Sequence, residues 1–202
     1  KVPDPYRWLE DIDSPETRAW IEEQNKVTFA YLEAVPGREQ IRKRMTALWD
    51  FEKYGIPFRR GDRYFYTLND GLMNQAVLYW TEGLRGEPRV LLDPNGLSED
   101  GTVALTGLEV SEDGGLLAYG VSSAGSDWQE WRVRNVDTCE DTGDLLKWIK
   151  STAASWAKDC AGFYYSRLDE PTGEVLKEAN YYQKLYYHRL GDAQEKDVLV
   201  FA

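Results

Sequence analysis

Histidine occurs once in the 202 residues, and cysteine and methionine twice each. One histidine, His188, with two distant cysteines, Cys139 and Cys160, gives too few ligands for a zinc site. The acids lack the Asp/Asn-rich loop of an EF-hand, so no metal is expected. Two cysteines are also too few for a disulfide framework. They read as free thiols and favour a reducing compartment only weakly, which leaves cytoplasmic and periplasmic locations open. Glycine-rich phosphate loops are missing, so nucleotide chemistry has no support and no cofactor is expected. No run approaches the roughly 18 apolar residues of a membrane span, and the stretch from Lys1 to Pro5 has no apolar signal core. Positive charge is in deficit: 35 acids against 24 bases give a net charge of −11. Such a field repels phosphate backbones and anionic lipids, so neither nucleic acid nor a membrane is expected as partner.

Hydrolytic machinery is missing as well. A nucleophile elbow needs Gly-x-Ser-x-Gly at a tight strand-to-helix turn. The nearest match is Gly120-Val121-Ser122-Ser123-Ala124, in which alanine replaces the second glycine and the pattern predicts a strand end and loop. His188 lies in the run Leu185-Tyr186-Tyr187-His188 and reads as a sheet residue, not as a general base. Glu10, Asp11 and Asp13 form an acidic cluster of the kind that is usually solvated surface. No catalytic residue is expected in this chain.

Aromatic residues, by contrast, abound: 8 Trp, 13 Tyr and 6 Phe in a composition 42% hydrophobic, as in a densely packed fold. Ser14-Pro15-Glu16 reads as a helix start, with Ser14 capping, Pro15 at the first helical position and Glu16 at the positive dipole end. Trp20, Val27, Tyr31 and Ala34 then share one face before Pro36-Gly37 ends the pattern. A second helix follows from about Arg38, with Ile41, Met45, Leu48 and Trp49 on one face. Both faces need a partner surface.

From Pro57 onward, short aromatic-rich runs separated by turns signal antiparallel β structure. Tyr64–Leu68, Leu117–Val121 and Phe163–Arg167 resemble one another, with central tyrosines at 66, 119 and 165. Each is followed by a second run (Val77–Trp80, Trp131–Arg134, Leu185–His188) and a closing run (Arg89–Leu92, Asp144–Lys147, Asp197–Val200). Innermost strands are expected near Leu105 and Ala154 for the second and third units. A period of about 50 residues carrying four strands matches propeller blades, and about four to eight of these close a ring. Three units are therefore read as part of a longer chain. The third is expected to turn a face containing Phe163, Tyr165 and Leu185 toward a further blade.

Asp4-Pro5-Tyr6-Arg7-Trp8-Leu9-Glu10-Asp11 resembles the opening motif of the prolyl oligopeptidase family of serine peptidases. Further segments agree in family order: Gly61-Asp62-Arg63-Tyr64-Phe65-Tyr66, Asn69-Asp70-Gly71-Leu72-Met73-Asn74-Gln75, Leu97–Leu105, Ser111-Glu112-Asp113-Gly114, Gly125-Ser126-Asp127-Trp128 and Gln183–His188. The resemblance implies a mainly β fold with an N-terminal helical segment. Residues 1–55 would pack on an α/β-hydrolase domain of the same protein, and 56–202 would form about three blades of a seven-bladed propeller inserted into the hydrolase chain. It further implies a parent enzyme that cleaves short proline-containing peptides, this part gating substrate access, with the triad residues lying after the last blade. Asp127 matches a loop acid placed near the hydrolase domain, where an interdomain ion pair would hold the closed state; a plain capped turn stays open beside it. Ser151 stands where the family often has a substrate-lining phenylalanine, which puts aromatic packing there in doubt or shifts the register by one. A second reading is a peptide- or protein-binding propeller module from an inactive relative.

Overall fold

The computed structural model describes residues 2–171 and 181–202. It divides into two compact units, Lys1–Asp50 and Phe51–Ala202. Among the described residues no helix is long and apolar enough to cross a membrane.

The first unit is helical. Ser14 caps α1 (Pro15–Ala34), its hydroxyl oxygen accepting the Thr17 amide at 3.2 Å, while Pro15 occupies a position where a missing N–H costs nothing. Thr17, the one buried residue of α1, donates its hydroxyl to the Trp8 carbonyl. Trp8 and Trp20 meet edge to face at 6.3 Å, tying the 3₁₀ turn Arg7–Glu10 to the helix. Gly37, at φ +82°, swings the chain into α2 (Arg38–Trp49). The apolar faces read from the spacing are exposed: Trp20, Val27, Tyr31, Ile41, Met45, Leu48 and Trp49 keep between 44% and 73% of their surface.

The second unit is three antiparallel sheets, each ordered from inner to outer strand along the chain. The first holds β1 (Lys53–Tyr54), β2 (Phe58–Arg60), β3 (Arg63–Asn69), β4 (Val77–Glu82) and β5 (Arg89–Leu92). Its innermost strand is in two pieces, since β1 and β2 both pair with β3 and Pro57, which has no N–H to give a ladder, lies between them. Lys53 pairs with Asn69 and Tyr54 with Leu68, so the compact unit begins at Phe51 instead of residue 56. The second sheet holds β6 (Val103–Val110), β7 (Leu116–Ser123), β8 (Gln129–Asn135) and β9 (Asp141–Ile149). The third holds β10 (Ser155–Trp156), β11 (Gly162–Arg167), β12 (Lys184–Arg189) and β13 (Val198–Phe201). All nine runs of the repeat fall on these strands, Asp197 standing just before β13.

The sheets pack face to face. Phe65, Leu78, Trp80 and Leu91 of the first are buried with Leu117, Tyr119 and Val121 of the second. Ala118, Trp131, Val133 and Leu146, on the second sheet's other face, are buried with Phe163, Tyr165 and Tyr186 of the third. This corrects the expected outward face. Phe163 and Tyr165 point back into the second sheet, 0% and 2% exposed, because alternate residues of a strand face opposite ways. Tyr164, Leu185 and Tyr187 share the outward side: Tyr164 pairs with Tyr187, and Ser166 with Leu185.

Candidate functional site

One end of the second sheet gathers both residues singled out in the sequence. After Ser123, Ala124 at φ +51° and Gly125 at φ +72° turn the chain toward β8. Ser126 closes the turn, its amide donating to the Ser123 carbonyl and its hydroxyl accepting the Trp128 amide at 3.1 Å. The cap is therefore Ser126. Asp127 is left exposed, with no hydrogen bond or ion pair among the described residues.

Opposite this turn, β9 carries a bulge. Gln129 pairs with Ile149 and Trp131 with Leu146, so Lys147 and Trp148 together face the single residue Glu130. Trp148 has φ +63°. Its ring meets that of Trp128 at 5.8 Å and 88°, and the Lys150 Nζ lies 4.2 Å from the centre of the Trp128 ring. Ser151 follows at φ +47°, exposed. Asp127 and Ser151 are thus each one residue along the chain from the Trp128–Lys150 contact, and Trp128 lines a cavity of about 250 Å³ together with Val121, Ser123, Glu130, Lys147 and Trp148. Nothing in the residue pattern marked Trp148, because a bulge that places tryptophan at positive φ leaves no trace on strand periodicity.

His188 lies in β12, as the run predicted, and is fully buried. What the sequence reading missed is its company. Nε2 lies 3.0 Å from Asp144 of β9 and Nδ1 2.7 Å from Asp197, both carboxylates nearly inaccessible. Donating to both requires a proton on each nitrogen, which makes the ring an imidazolium. Burial would lower its pKa, but the hydrogen bonds to Asp144 and Asp197 outweigh this and raise it to about 9. Burial likewise pushes Asp144 up, while hydrogen bonds from His188, Thr142 and the Gly191 amide overcome that and hold it at about 2. The Tyr165 hydroxyl donates to Asp197 at 2.6 Å and is pushed upward by burial and by that bond. The group joins the second sheet to the third, and both imidazole nitrogens are committed. A signal was available: Asp144 and Asp197 both open a closing run of the repeat.

The remaining candidates keep their structural places. Ser122 is buried within β7, paired with Ala104 and Gln129, so Gly120–Ala124 is strand and turn and not an elbow. Glu10 and Asp13 are exposed, facing Arg7 and Arg18.

A family model described as the N-terminal β-propeller domain of prolyl oligopeptidase matches residues 1–202. Prolyl endopeptidases of Elizabethkingia meningoseptica and Elizabethkingia miricola are 38% and 39% identical over 201 residues, covering 99% of this chain and 28% of each relative. That of Dictyostelium discoideum is 30% identical over 248 residues, covering 100% of this chain and 33% of the relative. The chain thus spans about a third or less of the length of these relatives. Among solved structures, one from a mechanistic study of two prolyl endopeptidases superposes with a TM-score of 0.92 at 37% identity, covering 99% of this chain and 30% of that one. Prolyl oligopeptidase B of Galerina marginata, bound to a 35mer hydrolysis and macrocyclization substrate, gives 0.89 at 27% identity, covering 99% and 31%. Matched by the family model from end to end, with three repeated sheets behind a helical lead-in, this chain belongs to the prolyl oligopeptidase family as its N-terminal propeller part.

Proposed function

We propose that the chain is the access-controlling part of a serine endopeptidase that cleaves short peptides after proline. The observation that carries this is the likeness over 99% of the chain, in sequence and in fold, to prolyl endopeptidases. In this reading the exposed faces of α1 and α2 seat against an α/β-hydrolase domain of the same protein, and further blades complete a seven-bladed ring. Asp127, exposed at the end of the second sheet and without an ion pair among the described residues, holds the closed state through an ion pair with that domain. Ser151, small and exposed, borders the substrate path where the family often has a ring. The peptides bound to the Galerina marginata relative support a peptide as the parent's substrate.

The 202 residues contain no Gly-x-Ser-x-Gly, and their one histidine is locked between two carboxylates. The chain alone is therefore expected to leave a chromogenic Gly-Pro substrate untouched and to escape a fluorophosphonate label, whereas the full-length protein turns over the one and takes up the other. In that full-length protein Asp127→Asn should change the salt dependence of kcat/KM and leave labelling intact. A label on these 202 residues would overturn the reading, and an inert, unlabelled full-length protein would favour the binding-module alternative. Kinetics unchanged across ionic strength would return Asp127 to a solvated turn.

A further inference from the structure

We propose that the cavity between the β7–β8 turn and the bulge of β9 binds a proline residue of an extended peptide, packed into the corner that the touching Trp128 and Trp148 rings form. The peptide as occupant rests on the reading above; the geometry supplies the rest.

A bulge with a residue at positive φ is the natural place for glycine, which adopts it without a Cβ clash. This chain puts tryptophan there, at φ +63°, and a bulky side chain in that region signals strain retained for a reason. The strained backbone is pinned from the third sheet. Gln194 accepts from the Lys147 amide and donates to the Lys147 carbonyl, both at 3.0 Å, and the Leu168 amide donates to the Trp148 carbonyl at 2.9 Å. What the bulge achieves is the aim of the indole, which now stands nearly perpendicular to Trp128 as the second wall of a corner.

The corner has the chemistry of a proline site. The Trp128 Nε1–H is buried and has no acceptor among the described residues, a donor that a peptide carbonyl would satisfy once the indole turns toward the cavity. Indole faces pack well against a pyrrolidine ring, and the residue before proline offers that carbonyl without an N–H of proline to desolvate. An extended proline segment is already close to its bound shape and loses little entropy on docking, the physics by which aromatic-lined grooves take such segments. At about 250 Å³ the space is below the roughly 300–1,000 Å³ of drug-sized ligand sites and suits one residue with its flanking backbone. Lys147, which lines the cavity, and Lys150, over the Trp128 ring, also suit a free carboxylate, the competing occupant that the test must separate.

The test is titration of the full-length protein, its nucleophile first blocked by a fluorophosphonate, with acetyl-Ala-Pro-Pro-Ala amide, which carries no charge, against acetyl-tetra-alanine amide, followed by calorimetry. The expected result is saturable binding of the proline peptide and affinity lower by about tenfold or more for the alanine peptide. Trp148→Gly suits its own backbone and should retain the sheets by circular dichroism while losing about tenfold or more in affinity. Trp128→Phe keeps a wall but removes the N–H, and should also bind more weakly. Equal binding of the two peptides, undiminished binding by both variants, or no saturable binding by the wild-type protein would overturn the proposal. Binding restricted to peptides with a free carboxylate would overturn it in favour of an anion. Each of these failures leaves full-length turnover of a Gly-Pro substrate unaffected, which separates them from failure of the peptidase reading.

Discussion

His188 is the residue at which burial and charge conflict most sharply. An imidazolium between two carboxylates is stable inside a protein only while all its hydrogen bonds are made, and losing one partner of a buried pair costs about 3–5 kcal/mol because the other is left charged and alone. Raising the folded pKa to about 9 from an ordinary 6.5 means that the contribution of His188 is complete below pH 6.5 and is lost as pH climbs through 9. Holding Asp144 at about 2 from 3.8 means that its contribution is present above pH 3.8 and is lost as pH falls toward 2. Urea melts of the chain should therefore show a plateau between about pH 4 and 6.5 and a decline from there toward 9. His188→Gln should lower stability most on the plateau, and its deficit should shrink toward pH 9; a deficit constant from pH 5 to 9.5 would refute the account. The strand position of His188 was legible from the alternation around it. Its partners were marked only by their shared place at the head of a closing run: Asp197 comes into reach through the pairing of β12 with β13, and Asp144, 44 residues away, only when the second and third sheets stack. Asp127 and Ser151 were found only through resemblance, since nothing in the local pattern sets an exposed acid or a small hydroxyl apart.

At the scale of the element, the strands were readable because turn residues and aromatic alternation mark them, whereas interruptions were not. Pro57 splits the first inner strand and the bulge at Lys147–Trp148 kinks the second sheet's outer one, and each depends on a neighbouring strand that the local sequence does not specify. Gly120 shows the same dependence. It pairs with Gly107 on one side and Trp131 on the other, and a Cβ on it would stand 2.7 Å from the Trp131 ring and 2.8 Å from the Thr106 hydroxyl. Gly107 leaves the same kind of room, a Cβ there lying 2.7 Å from the ring. The two glycines together make a slot for an indole 1% exposed within the contact between the second and third sheets. Alanine is the better residue in most ordered backbone, yet Gly120→Ala should destabilise by about 1–3 kcal/mol through overpacking. A thermal melt checks the sign, and a neutral or stabilising result would mean that Trp131 can shift without loss. Gly120 read in the sequence only as part of a strand-like run; the indole that needs its bareness lies eleven residues on and two strands across the slot from Gly107.

Across the whole molecule, the repeat was the most legible feature and the direction of its faces the least. A period of about 50 residues is visible as spacing, but which face of the third sheet looks outward turns on single-residue register. The outward side is apolar. In the first two sheets the outer strands bury Leu91, Leu92, Leu146 and Ile149 to 1% exposure or less, while in the third Val198, Leu199, Val200 and Phe201 keep between 48% and 71%. At the other end of the stack, Tyr54, Tyr66 and Tyr79 form a column of stacked rings, with Tyr54 62% exposed. If each such face leaves on the order of 400 Å² of apolar surface wet, then at about 25 cal/mol per Å² covering it is worth about 10 kcal/mol as an upper bound. A domain's entire stability is about 5–15 kcal/mol. The 202-residue chain in isolation is therefore expected to self-associate or to melt broadly, whereas the full-length protein should not. Size-exclusion chromatography with light scattering, combined with a thermal melt, decides this. Val198 and Phe201 pair with the outward Tyr187 and Leu185, so replacing Val198 and Phe201 together by lysine should restore a monomer if the outward face of the third sheet is what associates. A wild-type chain that runs as a monodisperse monomer and melts cooperatively above about 60 °C, high in the mesophile range, would show that three sheets stand without cover for their outer faces.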